Sequence, residues 1–455
     1  MSMFPVNRVP DILRRMEMNS TQAEAMKTCF GILAIMSRED TNKGLIAKDG
    51  MEIVLNVMTS HIDRTDVQEA GCDLLWSLAF NSTVVKEIIA KYNGSTVLVR
   101  ALKRHSRSSD FLKSACGALS NICQFKQNQE SVAAQGGLQP LVGSIHIHQS
   151  NGKLLPFIFD AIASIIVNNE DNARGVSALG IIPVVVASLN RHKTSAEVVK
   201  SGCHTLAILS DVKGQASKIA FAGGVPVILS LLDSHPVYAD LHRVAAVVLL
   251  RMLQESSHVG KEISCHEGVR ILLHSLEKGG AQQDTVAAVT HILYTITNPN
   301  SPAFSSIEPQ LWVPTPLSTT SMDSNEKSLL RVQNTATCSG STALTGVVRI
   351  LEQYVQRRDV VRAGCRLLTN LTSYPNVTLA LDSLFILDRV FECVYMHKDT
   401  KDVIEASVVL MKSIYRKKGL GGRFRGHSPP ILLGVLHVLK VKLHLDEGVV
   451  FLTCD

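Results

Sequence analysis

Few residues of this chain carry chemistry at a spacing that chemistry needs. Cys265, His266 and Glu267 stand side by side and offer three ligand types, but three consecutive residues at a corner read as a loop end. His146 and His148 lie two apart, so on a helix they face different sides and share no ion. Arg416, Lys417, Lys418, Arg423 and Arg425 form a basic run of the nuclear-localisation or RG type, a pattern that solvated loops also carry. The chain has no G-x-x-x-x-G-K-[ST], H-E-x-x-H or G-x-S-x-G, and no nucleophile–base set can be named. The expectation is therefore a protein that binds rather than catalyses, with no cofactor and no metal.

What must position any binding residues is a repeat. Taking Cys72 as an anchor, apolar residues follow three and six positions later at Leu75 and Leu78. The same frame fits Cys29, Cys116, Phe159, Cys203, Ala246, Thr290, Cys365 and Val408. Successive anchors are 43, 44, 43, 44, 43, 44, 75 and 43 residues apart. A fixed period in this range means stacked helical units, since no single unit can bury its apolar face alone. A glycine lies about 22 residues before most anchors (Gly50, Gly94, Gly137, Gly180, Gly224, Gly268), where a corner between helices calls for positive φ or close backbone approach. Each unit thus reads as short helix, glycine corner, second helix, polar loop and anchor helix.

Composition agrees. At 455 residues the chain is too long for one ordinary core, and 45% apolar with 5% aromatic residues suits helices packed through Leu, Val, Ile and Ala. A net charge of +6 is mild for this length and does not by itself call for nucleic acid. Of ten cysteines, five occupy the anchor position, where a free thiol acts as a small hydrophobe, and none shows C-x-x-C spacing. That argues for a reducing compartment, cytoplasmic with the nucleus as the alternative. The first residues lack an apolar signal core, and the longest apolar run, Ala178 to Leu189, falls short of a bilayer's thickness.

The unit resembles the armadillo repeat, and the match covers most of residues 20–418. Ala115-Cys116-Gly117-Ala118-Leu119-Ser120-Asn121-Ile122 is similar to that family's third-helix pattern, and Ala222-Gly223-Gly224-Val225-Pro226-Val227-Ile228-Leu229-Ser230-Leu231-Leu232 to its second-helix pattern. The resemblance implies an all-α, right-handed α-solenoid (a superhelix) of about nine armadillo-type repeats. The organisation expected is an N-terminal capping repeat over 1–41, repeats over 42–298, a Pro/Ser/Thr-rich disordered insertion over 299–340, further repeats over 341–418, and a basic loop with an irregular tail over 419–455. A decayed repeat is the alternative for the insertion, whose Trp312 serves either packing or docking. Residues 431–440 could form the middle helix of a truncated last unit.

In the family the third helices line a groove, and the resemblance carries that here. The exposed positions are those after the anchor and four further on. The first ladder is Phe30, Asp73, Gly117, Asp160, His204, Val247, His291, Arg366 and Val409, without the Trp that an importin-like array would show. The second ladder includes Ser77, Asn121, Arg251 and Asn370, with Asn only twice. Adding the position three before the anchor brings in Glu69, Lys113, Lys200, Arg243 and Arg362. The groove thus reads as acidic in its early repeats and basic in its later ones. The candidate partner-binding residues are Asp73, Ser77, Asn121, Lys200, His204, Arg243, Arg251, Arg362, Arg366 and Asn370. The expected partner is a protein or extended peptide, acidic over repeats five to eight, bound by a monomer without a small-molecule substrate or membrane insertion. A nucleic-acid-associated factor and a regulatory fragment of a larger protein are the rival readings, with nucleic acid the less favoured ligand.

Overall fold

The computed structural model describes residues 8–265, 267–278, 283–301, 303, 343–374, 377, 386–397 and 399–418. Among them every regular element is a helix. The chain divides into two compact units, residues 1–227 and 228–455, each taken by itself below.

The first unit opens with α1 (Arg8–Met18), α2 (Ala23–Met36) and the 21-residue α3 (Asp40–Ser60). Triplets follow: α4 (Thr65–Ala79), α5 (Thr83–Lys91), α6 (Gly94–His105); α7 (Ser109–Ile122), α8 (Lys126–Ala134), α9 (Leu138–Ile147); α10 (Leu155–Ile166), α11 (Glu170–Ala178), α12 (Ile181–Arg191). Then come α13 (Ala196–Ser210), α14 (Gln215–Phe221) and α15 (Gly224–Ser234), whose first turn belongs to the first unit. The second unit continues with α16 (Ala239–Glu255), α17 (Val259–Cys265), α18 (Gly268–Lys278), α19 (Gln283–Ile296), α20 (Ala343–Gln353), α21 (Arg358–Leu371), α22 (Ile386–Met396) and α23 (Lys401–Lys418). Third helices stack in series: α2, α4, α7, α10 and α13 in the first unit, and α16, α19, α21 and α23 in the second. Both units are all-α solenoids.

The anchor frame is the seam of that stack. Cys72, Leu75 and Leu78 are fully buried, as are Cys116, Leu119 and Ile122, and Phe159, Ile162 and Ile165. Each such Leu or Ile contributes about 2 kcal/mol by leaving water, which short helices need because isolated ones are marginal. The residue before the anchor is often glycine for a packing reason. A Cβ at Gly71, Gly202 or Gly364 would lie under 3 Å from Met58, Leu189 or Leu351, each thirteen residues earlier on the unit's second helix. Burial drives the anchor thiols upward, to about 12 at Cys203 and about 11 at Cys365, so they stay protonated and inert. Every described cysteine is a free thiol.

The glycine corner divides two jobs between neighbouring positions. The left-handed residue is the first of the pair: Asn93 (φ 55°), Gly136 (74°), Gly180 (82°), Gly223 (80°) and Glu267 (52°). The second residue meets backbone. A Cβ at Gly137, Gly224 or Gly268 would stand 2.9, 2.6 or 2.5 Å from the carbonyl oxygen of Val132, Ile219 or Ile263. Gly180 therefore belongs to the first position, not to the series of Gly137 and Gly224, and buried Ile181 holds the second in that repeat.

Three expectations for the first repeat need correction. Gly50 makes no corner: it lies inside α3, pressed on Leu13 of α1. A boundary at 41/42 consequently falls within a helix. The anchor is Phe30, not Cys29: Phe30, Leu33 and Met36 are buried, whereas Ile32 and Ile35 are 40% and 47% exposed. Phe30 is thus removed from the groove ladder. The insertion over 304–340, with Trp312, and the tail from 419 lie outside the described residues.

A second ladder runs through the loops after the second helices. Nε2 of His61, His105, His148, His192 and His397 each meets a main-chain carbonyl 41–43 residues earlier, at Ser20, Ile62, Ser106, Gln149 and Val355, over 2.6–3.3 Å. A carbonyl only accepts, so Nε2 carries the proton and each imidazole ties one loop to the loop of the preceding repeat. His105 is the most embedded of these. Its Nδ1 lies 3.0 Å from the Thr65 hydroxyl, which donates, and its ring stands edge-on to Phe111 at 5.4 Å. His105→Ala should cost about 2–3 kcal/mol, because it leaves the Ile62 carbonyl unpaired as well as losing the ring. Hydrogen exchange should accelerate around residues 62–66 and 105–111 first. Unaltered protection there would show that the ladder does not couple repeats.

Candidate functional site

The outward positions of the third helices differ between the two units in both chemistry and occupancy. In the first unit the centre is aromatic. Trp76 on α4 and Phe157 on α10 meet edge to face at 5.8 Å although α7 lies between their helices. They can meet because the intervening residue is Gly117, where a Cβ would fall 2.5 Å from the indole. Lys113 of α7 places its ammonium 5.7 Å from the Phe157 ring centre. The ladder positions one and five beyond the anchor omit Trp76, which is four beyond Cys72. The chain therefore does carry a groove tryptophan, one turn away from where an importin-like pattern would put it.

Beside Trp76 a cavity of about 600 Å³ opens between α2 and α4, lined among others by Ile35, Arg38, Asp73, Ser77 and Phe80. Phe80 is 55% exposed there. Acidic groups gather at its amino-terminal side. The Glu69 carboxyl is pushed above its ordinary range, first by burial and then by the nearby Asp110 and Asp73 charges. Asp160 is likewise pushed up by the protein around it, against a hydrogen bond from Ser201 and the His204 and Lys200 charges. Lys200 and His204 are exposed, and their field is already met by Asp160.

The candidate amides and hydroxyls of this face are turned inward. Asn121 Nδ2 donates to the Trp76 carbonyl at 3.0 Å, and Ser77 Oγ lies 2.6 Å from Ser37 Oγ and 3.3 Å from the Ala34 carbonyl. In the second unit Asn370 Nδ2 donates to the Tyr294 carbonyl at 3.0 Å. These side chains lace one third helix to the one before it, which is a stacking role.

The second unit's face is cationic. His291 on α19 is held below its usual range by burial first and then by Arg362 and Arg366. Arg362 donates to Asp402 of α23 at 2.8 Å, so part of its charge is met within the stack. Arg366 is exposed and lies 6.0 Å from the Tyr294 ring centre, without a carboxylate within ion-pair distance among the described residues. Arg243 and Arg251 are half-buried on α16, on the same succession of helices.

The comparisons join this geometry to known proteins. Residues 104–295 match the family model of the GAC ARM domain. An engineered protein of known crystal structure superposes with a TM-score of 0.67 at 18% identity, over 97% of this chain and 95% of that one. The repeats of residues 104–295 are armadillo repeats. Among curated armadillo proteins, human Armadillo repeat-containing protein 6 is 24% identical over 217 residues, 43% of either chain, so the match spans under half of that relative's length. A β-catenin structure, reported for a phosphorylation switch controlling its interaction with cadherin, gives a TM-score of 0.53 at 14% identity, over 97% of this chain and 89% of that one. At such identities the armadillo likeness establishes the fold, and the ligand has to be argued from this chain's own residues.

Among the described residues no group of three or more His, Cys, Asp and Glu converges to hold a metal ion, and no single helix is long and apolar enough to cross a membrane. His146 and His148 do not converge, since His148 Nε2 lies 3.3 Å from the Ser106 carbonyl. Cys265 is exposed at the end of α17.

Proposed function

We propose that this armadillo chain is a non-enzymatic scaffold that binds an extended segment of another protein along its third-helix faces, and that the second unit takes an acidic segment. The observation that carries this reading is the convergence of His291, Arg362 and Arg366 on α19 and α21, with Arg366 exposed and stacked over Tyr294. The two guanidiniums of Arg362 and Arg366 are the charges here; their field helps keep the His291 imidazole neutral, and an anionic ligand offsets it. A guanidinium already braced on an aromatic ring loses little rotamer freedom on binding a carboxylate. Arg243 extends the cationic row onto α16. The armadillo structure reported with cadherin supports protein or peptide as the ligand class. The buried, protonated thiols suit a cytoplasmic or nuclear protein, and a monomer suffices for this function.

Fluorescence anisotropy with a fluorescein-labelled Glu/Asp-rich dodecapeptide tests the proposal. Arg243→Glu with Arg366→Glu should weaken binding about 10–100-fold, and raising salt from 50 to 200 mM should weaken the unaltered chain too. Binding of equal strength by both chains would remove the acidic-segment reading. The nucleic-acid alternative draws on the basic run, of which Arg423 and Arg425 lie outside the described residues, and on the same cationic face. A single-stranded oligonucleotide titrated beside the peptide separates the two, and tighter binding of the oligonucleotide would favour that alternative.

A further inference from the structure

We propose that the cleft between α2 and α4 is a second, separate recognition site, built for a linear segment carrying one bulky apolar residue beside a lysine or arginine. It rests on the scaffold reading and adds a ligand of opposite charge to the one assigned to the second unit. Four observations converge on it. The cleft holds about 600 Å³, enough for one large side chain with its flanking backbone. Its walls keep exposed the groups that folding ordinarily hides: Phe80 is 55% and Ile35 47% accessible, and one edge is the Trp76 indole. The indole is rigid, because it is wedged over Gly117 and against Phe157, so little ordering remains to be done on binding.

Charge supplies the fourth observation and selects the occupant. Asp73 lines the cleft, Glu69 stands one turn before it, and Asp110 reaches the same region from α7. Of the nearby cations, Lys27 lies 3.7 Å from Asp66 and Lys113 is over Phe157, whereas Lys43 lines the cleft and donates to the Phe80 carbonyl at 3.0 Å, which holds its charge at the Phe80 end. Arg38 sits with Phe80 at the carboxy-terminal end of the helices, seven residues beyond Asp73's level, or about 10 Å along the axis. A cationic side chain is therefore drawn to the Asp73 end and repelled from the Arg38 end, which fixes the order of the two residues on the cleft. Recognition works through side chains, because the Ser77 hydroxyl and the Asn121 amide that would clamp a peptide backbone are spent between repeats. That separates this site from a Trp–Asn backbone clamp.

The test uses the full chain. The sequence has two tryptophans, so Trp312→Phe leaves Trp76 as the sole indole and reporter. Capped Ser/Gly dodecapeptides containing Phe-Lys-Lys, Phe-Ser-Ser, Phe-Glu-Glu or Ser-Lys-Lys are titrated against it. Phe-Lys-Lys should shift the Trp76 emission saturably, Phe-Ser-Ser about tenfold more weakly, and the other two not at all. Glu69→Lys, at a half-buried position, with Asp73→Lys, at an exposed one, the fold checked by circular dichroism, should reverse the preference in favour of Phe-Glu-Glu. Absence of any response, equal responses to Phe-Lys-Lys and Phe-Glu-Glu, or an unaltered preference in the double variant would each overturn the proposal. The acidic dodecapeptide is run in parallel. If it still binds while the Trp76 titrations fail, only the cleft assignment falls; if both fail, the scaffold reading falls with it.

Discussion

Gly268→Ala should lower stability by about 3 kcal/mol, while Gly175→Ala, inside the short helix α11, should raise it by about 0.5–1 kcal/mol. A Cβ at 268 would stand 2.5 Å from the Ile263 carbonyl oxygen, 2.8 Å from Ile263 Cγ2 and 2.9 Å from Leu229 Cδ1. The carbonyl is main chain and cannot swing aside, so the corner between α17 and α18 must open and the second helix must shift on its neighbours. Gly175 is a different case, being inside α11 with nothing within 4 Å of its would-be Cβ. There the methyl adds no clash and removes freedom from the unfolded chain. Urea unfolding of both variants checks this. Because repeat arrays need not melt in one step, the transition should be followed by hydrogen exchange as well as by circular dichroism. Equal effects at the two glycines would refute the corner geometry.

Phe159→Cys, which would make the fourth anchor like its neighbours, should destabilise the chain by about 3 kcal/mol instead of improving it. Phe159 is fully buried on α10, and its ring edge lies 3.5 Å from the would-be Cβ of Gly202 on the next third helix. The space filled by the ring is specific to that repeat. Removing most of it leaves a cavity that close-packed helices cannot collapse around. Differential scanning calorimetry would register the loss. A variant as stable as the parent would mean that the seam tolerates either residue and that packing there is not specific.

How much of this was legible beforehand depended on the physical signal involved. The 43–44-residue period was visible because burial repeats with the helix stack, and it located every third helix among the described residues. Its first step was misplaced by one residue, since Cys29 and Phe30 are both apolar and only burial tells which faces inward. The glycine corners were recognisable as corners, but not the division between a left-handed residue and a residue touching a carbonyl, because either demand selects glycine. Asn93 and Glu267 meet the first demand without being glycine. Gly50 shows the converse, a glycine chosen for contact with Leu13 inside an unbroken helix. Four members of the histidine ladder, His61, His105, His148 and His192, recur in the sequence at steps of 44, 43 and 44. A lone histidine at a loop carries little signal until its spacing is counted.

The candidate binding residues were harder to read than the fold. Asn121, Asn370 and Ser77 have the polarity of peptide clamps, yet their bonds run between helices of the stack. Trp76 lay one position outside the assumed ladder. Its contact with Phe157 depends on Gly117 and on three helices lying side by side, which spacing alone does not reveal.

Site-specific photo-crosslinking in cells tests the central claim, that partners are read by the third-helix faces. Benzoylphenylalanine would replace Asp73, His204 or Arg366 on those faces, and Glu87 or Glu130 on the exposed sides of α5 and α8. The account predicts partner adducts from the first three positions and none above background from the other two. Adducts arising equally or preferentially from positions 87 and 130 would contradict it.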